Sequence, residues 1–189
     1  MQLQKPHGVT TPGSKATLLV IGTFALAFLA GGCAPGPFNV EVSLDEKDTG
    51  LRDKTGTVKT IEVNLIAIND SELERWEQMS VNSFWEVNSP IRASAKKYVM
   101  TFGQERPSKQ TLLETDAIWK KWIDERGARY LVVLGYLPWI QNDQPGAADP
   151  RRLILPLERG KWEWSAWGAN TVPIQIGTGG ITPLRQPNK

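Results

Sequence analysis

The chain has 189 residues, with 22 Lys and Arg against 20 Asp and Glu, a single cysteine and a single histidine. Lys5 and Lys15 precede Cys33 and every acidic residue follows it, so the segment from Cys33 onward carries 20 basic and 20 acidic side chains. That neutrality excludes a nucleic-acid partner and a polybasic membrane patch, both of which need excess cationic charge. His7 also lies ahead of Cys33, which leaves the remainder without an imidazole for Ser-His-Asp or Cys-His chemistry and without the commonest zinc ligand. No enzyme, no metal site and no bound cofactor are expected.

In chain order, the first feature is an apolar run from Ala16 to Gly32 behind Lys5 and Lys15. A basic start, an apolar stretch and small residues before a cut site make a secretory signal peptide over residues 1–32. Cys33 directly after Gly31-Gly32 resembles the signal of bacterial lipoproteins. That resemblance implies cleavage before Cys33, with diacylglycerol on its sulfur and an acyl group such as palmitate on its amine. The pattern departs mildly from the family's, with Ala30 where Leu is preferred and Leu29 one place further back. The alternative is an uncleaved transmembrane anchor, against which the glycines and threonines of the run and its Gly-Gly-Cys ending speak. The same resemblance implies sorting to the outer membrane, since Ala34 follows Cys33 where the family's sorting rule penalises Asp. A lipidated Cys33 leaves no disulfide, so packing must stabilise the domain.

Residues 33–57 read as a lipidated tether. They include a non-helical Ala34-Pro35-Gly36-Pro37 segment, an alternating stretch Val40–Leu44 that reads as a short strand, and a charged, glycine-punctuated loop. As a flexible coil the tether would hold the domain about 27 Å from the lipid. Residues 58–177 read as the folded domain and 178–189 as a tail rich in Gly, Pro and Thr.

Val58–Asn69 is the clearest strand, apolar on both faces toward its end and so predicted to be central in a sheet. Ser71 and Glu74 have capping-box spacing before a short helix that puts Leu73, Trp76 and Met79 on one side. Phe84 and Trp85 follow in a loop. Lys96–Phe102 alternates as a strand. Thr115 or Asp116 caps a second helix with an Ile118, Trp119, Trp122, Ile123 stripe, which Gly127 stops. Tyr130–Leu137 reads as a buried strand, Trp139–Pro150 as a loop, and Arg151–Leu157 as a strand that Pro156 places at an edge. Trp162 and Trp164 share a face at period two, Trp167 falls where that stretch ends, and Thr171–Ile176 closes the sheet. Strands mostly at hairpin distances with two inserted helices predict a β-sandwich, not a parallel α/β sheet.

Short catalytic-looking triplets do not form a constellation. Asp48-Thr49-Gly50 occurs once and follows charged residues, where an aspartic protease needs two carboxylates sharing a proton. Ser94-Ala95-Lys96-Lys97, Ser80-Val81-Asn82 and Lys54-Thr55-Gly56 match penicillin-recognising motifs in reversed order. Eight tryptophans remain as the distinctive content. Those on the helix stripes read as core. Trp85 and Trp139, in loops, together with Phe84, are the candidate partner-binding residues, because exposed aromatics dominate protein interfaces. Indole faces also stack on sugars, so capture of glycan or peptidoglycan is the competing reading. Asp149, Arg151 and Arg152 form a charged corner, either a solvated strand entry or a salt-bridged docking site.

The order of these features resembles the outer-membrane lipoprotein of bacterial type VI secretion systems. The matching pieces are IEVNLIAIN at 61–69, the excursion through Trp85, TDAIWKKW at 115–122, YLVVLGYL at 130–137 and KWEW at 161–164. The resemblance covers most of the chain after Cys33 as a pattern. It implies a transthyretin-like sandwich on the periplasmic face of the outer membrane. It also implies docking, through loops, to the periplasmic part of an inner-membrane secretion protein. The excursion from Asp70 to Ser94 is then the first expected docking element.

Overall fold

The computed structural model describes residues 34–162 and 170–187, the Ala147 side chain excepted. Among the described residues, eight strands form two four-stranded sheets. The first sheet holds β1 (Asn39–Leu44), β4 (Lys109–Leu112), β7 (Thr171–Gly177) and β8 (Gly180–Pro183), in the order β4-β1-β7-β8. The second holds β2 (Ile61–Ile68), β3 (Lys97–Phe102), β5 (Tyr130–Gly135) and β6 (Arg152–Pro156), in the order β3-β2-β5-β6. All neighbours are antiparallel except β1 and β7, which run parallel with Val40 opposite Val172 and Val42 opposite Ile174.

The predicted mainly β, two-sheet architecture is therefore present. Alternation on β1 and β7 turns Val40, Val42, Leu44, Val172, Ile174 and Ile176 inward. They meet Ile61, Val63, Leu65, Met100, Phe102 and Val133 from the second sheet in one continuous core. β2 lies between β3 and β5, as its two apolar faces predict. Its outward side chains, Ile66 and Ile68, join Val132 and Leu134 under a helical layer in a second cluster.

That layer is α1 (Asp70–Gln78), α2 (Val81–Trp85) and α3 (Pro90–Ser94). The Asp70–Ser94 excursion thus holds three short helices, where one helix and a loop were expected. Ser80 and Ser89 supply the extra starts, each accepting from the backbone N–H three residues on. The cap of α1 also lies two residues earlier than predicted, because Glu72 accepts from the Asn69 N–H at 3.1 Å. α4 (Ile118–Ile123) carries the predicted stripe, with Trp119 and Trp122 buried and Gly127 at φ +63° beyond its end, but its N-cap is Ala117 instead of Thr115 or Asp116.

The expected tether and tail need correction. β1 occupies 39–44 of the expected tether and is hydrogen-bonded on both sides, with Phe38 just before it wholly buried. β8 lies in the expected tail, paired to β7, and Ile181 N–H donates to the Pro150 carbonyl at 2.7 Å. The sandwich therefore begins within a few residues of Cys33 and ends beyond Pro183. Flanking Gly, Pro and charge made both segments look like linker, although β1 alternates Val40, Val42 and Leu44 into the core and β8 adds Ile181. Trp162 follows a 3-10 turn at Arg159–Lys161 instead of standing in a strand. Trp164, Trp167, Cys33 and the signal segment lie outside the described residues.

Candidate docking surface

The three residues expected to bind a partner occupy different environments. Phe84 is fully buried, packed on Trp76 at 6.1 Å between ring centroids and edge-on to Trp85 at 5.1 Å. It is a core residue of the helical layer, which corrects its expected role at a surface. The physical reason is the helical pitch of α2, which turns Val81 and Phe84 together onto β2 and β5. Trp139 is half-buried and fixed, its Nε1–H donating to the Thr178 carbonyl at 2.8 Å, with the Lys59 ammonium 4.9 Å above its ring. It ties the Trp139–Pro150 loop to the turn between β7 and β8.

Trp85 alone lines an open cleft. The cleft holds about 340 Å³ and is walled by Trp85, Tyr136, Pro138, Ile140, Asn82 and Gln141. Tyr136 is exposed, and its ring lies 5.3 Å from that of Trp85. Arg92 covers one face of the Trp85 ring at 4.8 Å while its Nη2 reaches both carboxylate oxygens of Glu62, at 2.9 and 3.0 Å. The Trp85 Nε1–H is buried without an acceptor. Beside the cleft, Val87 stands almost fully exposed at the turn between α2 and α3. Tyr136 and Arg92 were not singled out from sequence. The period-two outward position of Tyr136 after a buried strand was the available signal, whereas nothing local marked Arg92.

Arg151 also lines the cleft, and with Asp149 and Arg152 it forms a buried charged corner, not the solvated strand entry or surface docking site expected. Asp149 is fully buried and Arg151 and Arg152 nearly so. Asp149 accepts from the Arg151 backbone N–H at 2.9 Å and from the Gln144 N–H at 3.2 Å, besides the Arg151 guanidinium. Burial pushes the Asp149 carboxyl up, but these hydrogen bonds outweigh it and hold the group below the ordinary value of 3.8. Arg151 also reaches the Asn82 side chain at 2.6 Å, the Ile140 carbonyl at 3.0 Å and Asp143. Asp143 in turn accepts from the Ser80 hydroxyl and from the Asn82 N–H at 2.9 Å. Ser80-Val81-Asn82 is thus a structural clamp. Among the described residues, no carboxylate lies in hydrogen-bond reach of Arg152. Its donors meet four carbonyls, those of Trp76 and Met79 at the C-terminal end of α1 and those of Gln144 and Gly146. A cation there offsets the negative end of the helix dipole.

At the far end of the sheets, where the chain enters, the packing is aromatic. Phe38 lies 5.6 Å from Trp119 and 5.9 Å from Trp162, and Trp119 stands edge-on to Trp122 at 5.2 Å. Each of the three indoles donates to a backbone carbonyl, of Leu113, Lys96 and Pro156, so these tryptophans close the core. Among the described residues no cluster of His, Cys, Asp or Glu could hold a metal ion, and no helix is long and apolar enough to cross a membrane.

The class that fold and site define is a two-sheet β-sandwich with helices over one outer face and an aromatic cleft beside them. No protein-family model matches the chain, and no curated protein does. Among solved structures it is similar to the C-terminal domain of the type VI secretion protein TssM from EAEC. Identity there is 12%, covering 78% of this chain and 99% of that one, with a TM-score of 0.48. It is also similar to Serratia marcescens Lip, a membrane-bound component of the type VI secretion system, at 13% identity, 80% and 99% coverage and a TM-score of 0.45. A third likeness is to the type VI lipoprotein TssJ1 from Pseudomonas aeruginosa, at 11% identity, 82% and 99% coverage and a TM-score of 0.42. Likenesses this distant assign no role to this chain.

Proposed function

We propose that the chain is a lipid-anchored structural component of a type VI secretion membrane complex. Lipid on Cys33 holds it to the periplasmic face of the outer membrane, and its sandwich docks the periplasmic part of an inner-membrane secretion protein. The observation that carries this reading is the position of Cys33, behind a signal-like run and directly ahead of a folded, neutral, histidine-free domain. The pieces of the sequence resemblance support it, since IEVNLIAIN supplies β2, TDAIWKKW supplies α4 and YLVVLGYL supplies β5. Trp85, Tyr136 and the exposed Val87 make the docking patch, the combination of aromatic anchors and a polar rim that interfaces use.

The glycan reading draws on the same cleft, whose Asn82 and Gln141 offer hydrogen bonds beside two rings. Against it, Arg92 already lies over a face of Trp85 and Lys59 over Trp139, faces on which a sugar ring would stack.

Replacing Cys33 with Ser tests the proposal. Fractionation is expected to move the protein from membrane to soluble periplasm, with the fold intact and secretion lost. A Cys33→Ser protein that still supports secretion would remove the anchoring role.

A further inference from the structure

The length of chain between Cys33 and the first fixed residue sets how the domain sits on a membrane. Pro35 forms a bridge with Glu158, the Gly36 N–H donates to the Leu157 carbonyl at 3.1 Å, and Arg159 donates to the Pro37 carbonyl at 2.9 Å. The Asn39 N–H then meets the Asn170 carbonyl at 2.7 Å, and β1 begins. Only Ala34 separates Cys33 from this clamped segment, so even a fully extended link spans about 7 Å. That is far shorter than the flexible tether expected from sequence.

β1, β7 and β4 establish which surface lies at this end. β1 and β7 start there in parallel, and antiparallel β4 ends there with Leu112 opposite Val40. The next residue, Leu113, is 54% exposed, and Glu114 to Ala117, Trp119 and Lys120 then line a groove with Pro35 and Pro37. Leu184, 52% exposed, stands beside Arg185, which reaches the Thr171 carbonyl at the start of β7. Two exposed leucines among mixed charges suit the boundary of a phospholipid headgroup layer. The loops at 45–60, 103–108 and 136–151 lie at the other end, one strand length of about 17 Å away.

We propose that the chain-entry end of the sandwich, from Pro35 to Pro37 and Leu113 to Lys120, rests directly on the phospholipid headgroups of the anchoring membrane. The cleft of Trp85 and Tyr136 is thereby held facing away from it. This inference rests on lipidation of Cys33. It adds an orientation that lipidation alone does not supply, because a lipoprotein on a long tether has no fixed face.

The test uses the full lipidated protein, extracted from membranes and reconstituted into phosphatidylethanolamine–phosphatidylglycerol vesicles that carry a headgroup quencher. A blocked Cys33 leaves an introduced thiol as the only labelling site. Fluorophores are placed in turn at Lys120→Cys, beside the entry, and at Lys54→Cys, in the opposite loop, both exposed positions. Strong quenching at 120 and none at 54 is the expected result. An insert of about ten Gly/Ser residues between Ala34 and Pro35, adding roughly 17 Å of reach, should abolish the contrast without touching the fold. Vesicle-bound protein quenched equally at both sites, or unaffected by the insert, overturns the orientation alone. Protein that does not bind vesicles and labels at Cys33 overturns the lipid anchor and the orientation with it.

Discussion

The guanidinium of Arg151 meets the carboxylate of Asp149 through two hydrogen bonds, Nε to Oδ1 at 3.0 Å and Nη2 to Oδ2 at 2.8 Å. The Arg151 side chain is 4% exposed and that of Asp149 0%. The pair lies two residues apart at the entry to β6, yet it holds elements far apart in sequence. Through Asn82 and Asp143 it fixes α2, and through Ile140 it fixes the loop that walls the Trp85 cleft. The geometry of the proposed docking patch depends on this pair.

Removing one partner of a buried pair leaves the other charge uncompensated. Asp149→Asn and Arg151→Ala should each destabilise the domain by about 3–5 kcal/mol. Urea unfolding followed by tryptophan fluorescence measures this. A loss below roughly 1 kcal/mol, the size of an exposed pair, would show that water reaches the site.

The same network should make stability depend on acid. Asp149 and Asp143 both titrate below 3.8 in the fold, since burial, which raises them, is outweighed by hydrogen bonds from Arg151 to Asp149 and from Ser80 and Asn82 to Asp143. A folded-state value below the unfolded one means the unfolded chain takes up protons first as pH falls. The stabilisation is therefore complete above the ordinary value of 3.8 and is lost below it, as pH drops through the folded values. Urea midpoints taken across that window should fall for the natural protein and fall less for Asp149→Asn. Parallel curves would place the acid sensitivity elsewhere.

Neighbouring aromatics should separate folding from docking. Phe84→Ala opens a cavity under α2 and should cost about 3–5 kcal/mol. Trp85→Ala, at the cleft wall, should cost less stability and more partner affinity. Thermal melts beside a pull-down distinguish the two, and equal stability losses would return Trp85 to the core.

Gly180 closes the sheets onto each other. It sits at φ +131°, and a Cβ there would run into the carbonyl oxygen of Pro150, the same oxygen that accepts from Ile181. Gly180→Ala should destabilise by about 1–3 kcal/mol from backbone strain alone, before the clash is relieved. An unchanged melting temperature would show that the β6–β8 corner is pliable.

The central strands were legible because burial on both faces gives an apolar run that no surface segment needs. β2 and β5 show this directly, and the α4 stripe was legible from the spacing of Trp119 and Trp122. β1 was partly legible, since Val40–Leu44 alternates as a short strand does, but the Pro, Gly and charge around it placed it in the tether. Only its pairing with β4 and β7, distant in sequence, makes it a core strand. The helices over β2 and β5 were partly hidden because Ser80 and Ser89 restart the chain every few residues. Within the site, the loop expected around Phe84 and Trp85 is the end of α2, and only its helical turn separates the buried Phe84 from Trp85 at the cleft wall. The charged corner was visible as charge, but its burial was not. Two adjacent arginines at a strand start look solvated until the loop at 139–150 and the end of α1 fold over them.

The central claim is that this sandwich docks an inner-membrane secretion protein through the Trp85 cleft. Its most direct measurement is titration of the purified protein with the periplasmic domain of the inner-membrane protein encoded beside the secretion sheath and tube. The natural chain and Trp85→Ala are compared at matched stability. The account expects saturable binding by the natural chain and a loss of at least about tenfold in Trp85→Ala, the effect of an interface hot spot worth 1.4 kcal/mol or more. Absence of binding by the natural chain, or equal affinity for both proteins, would contradict it.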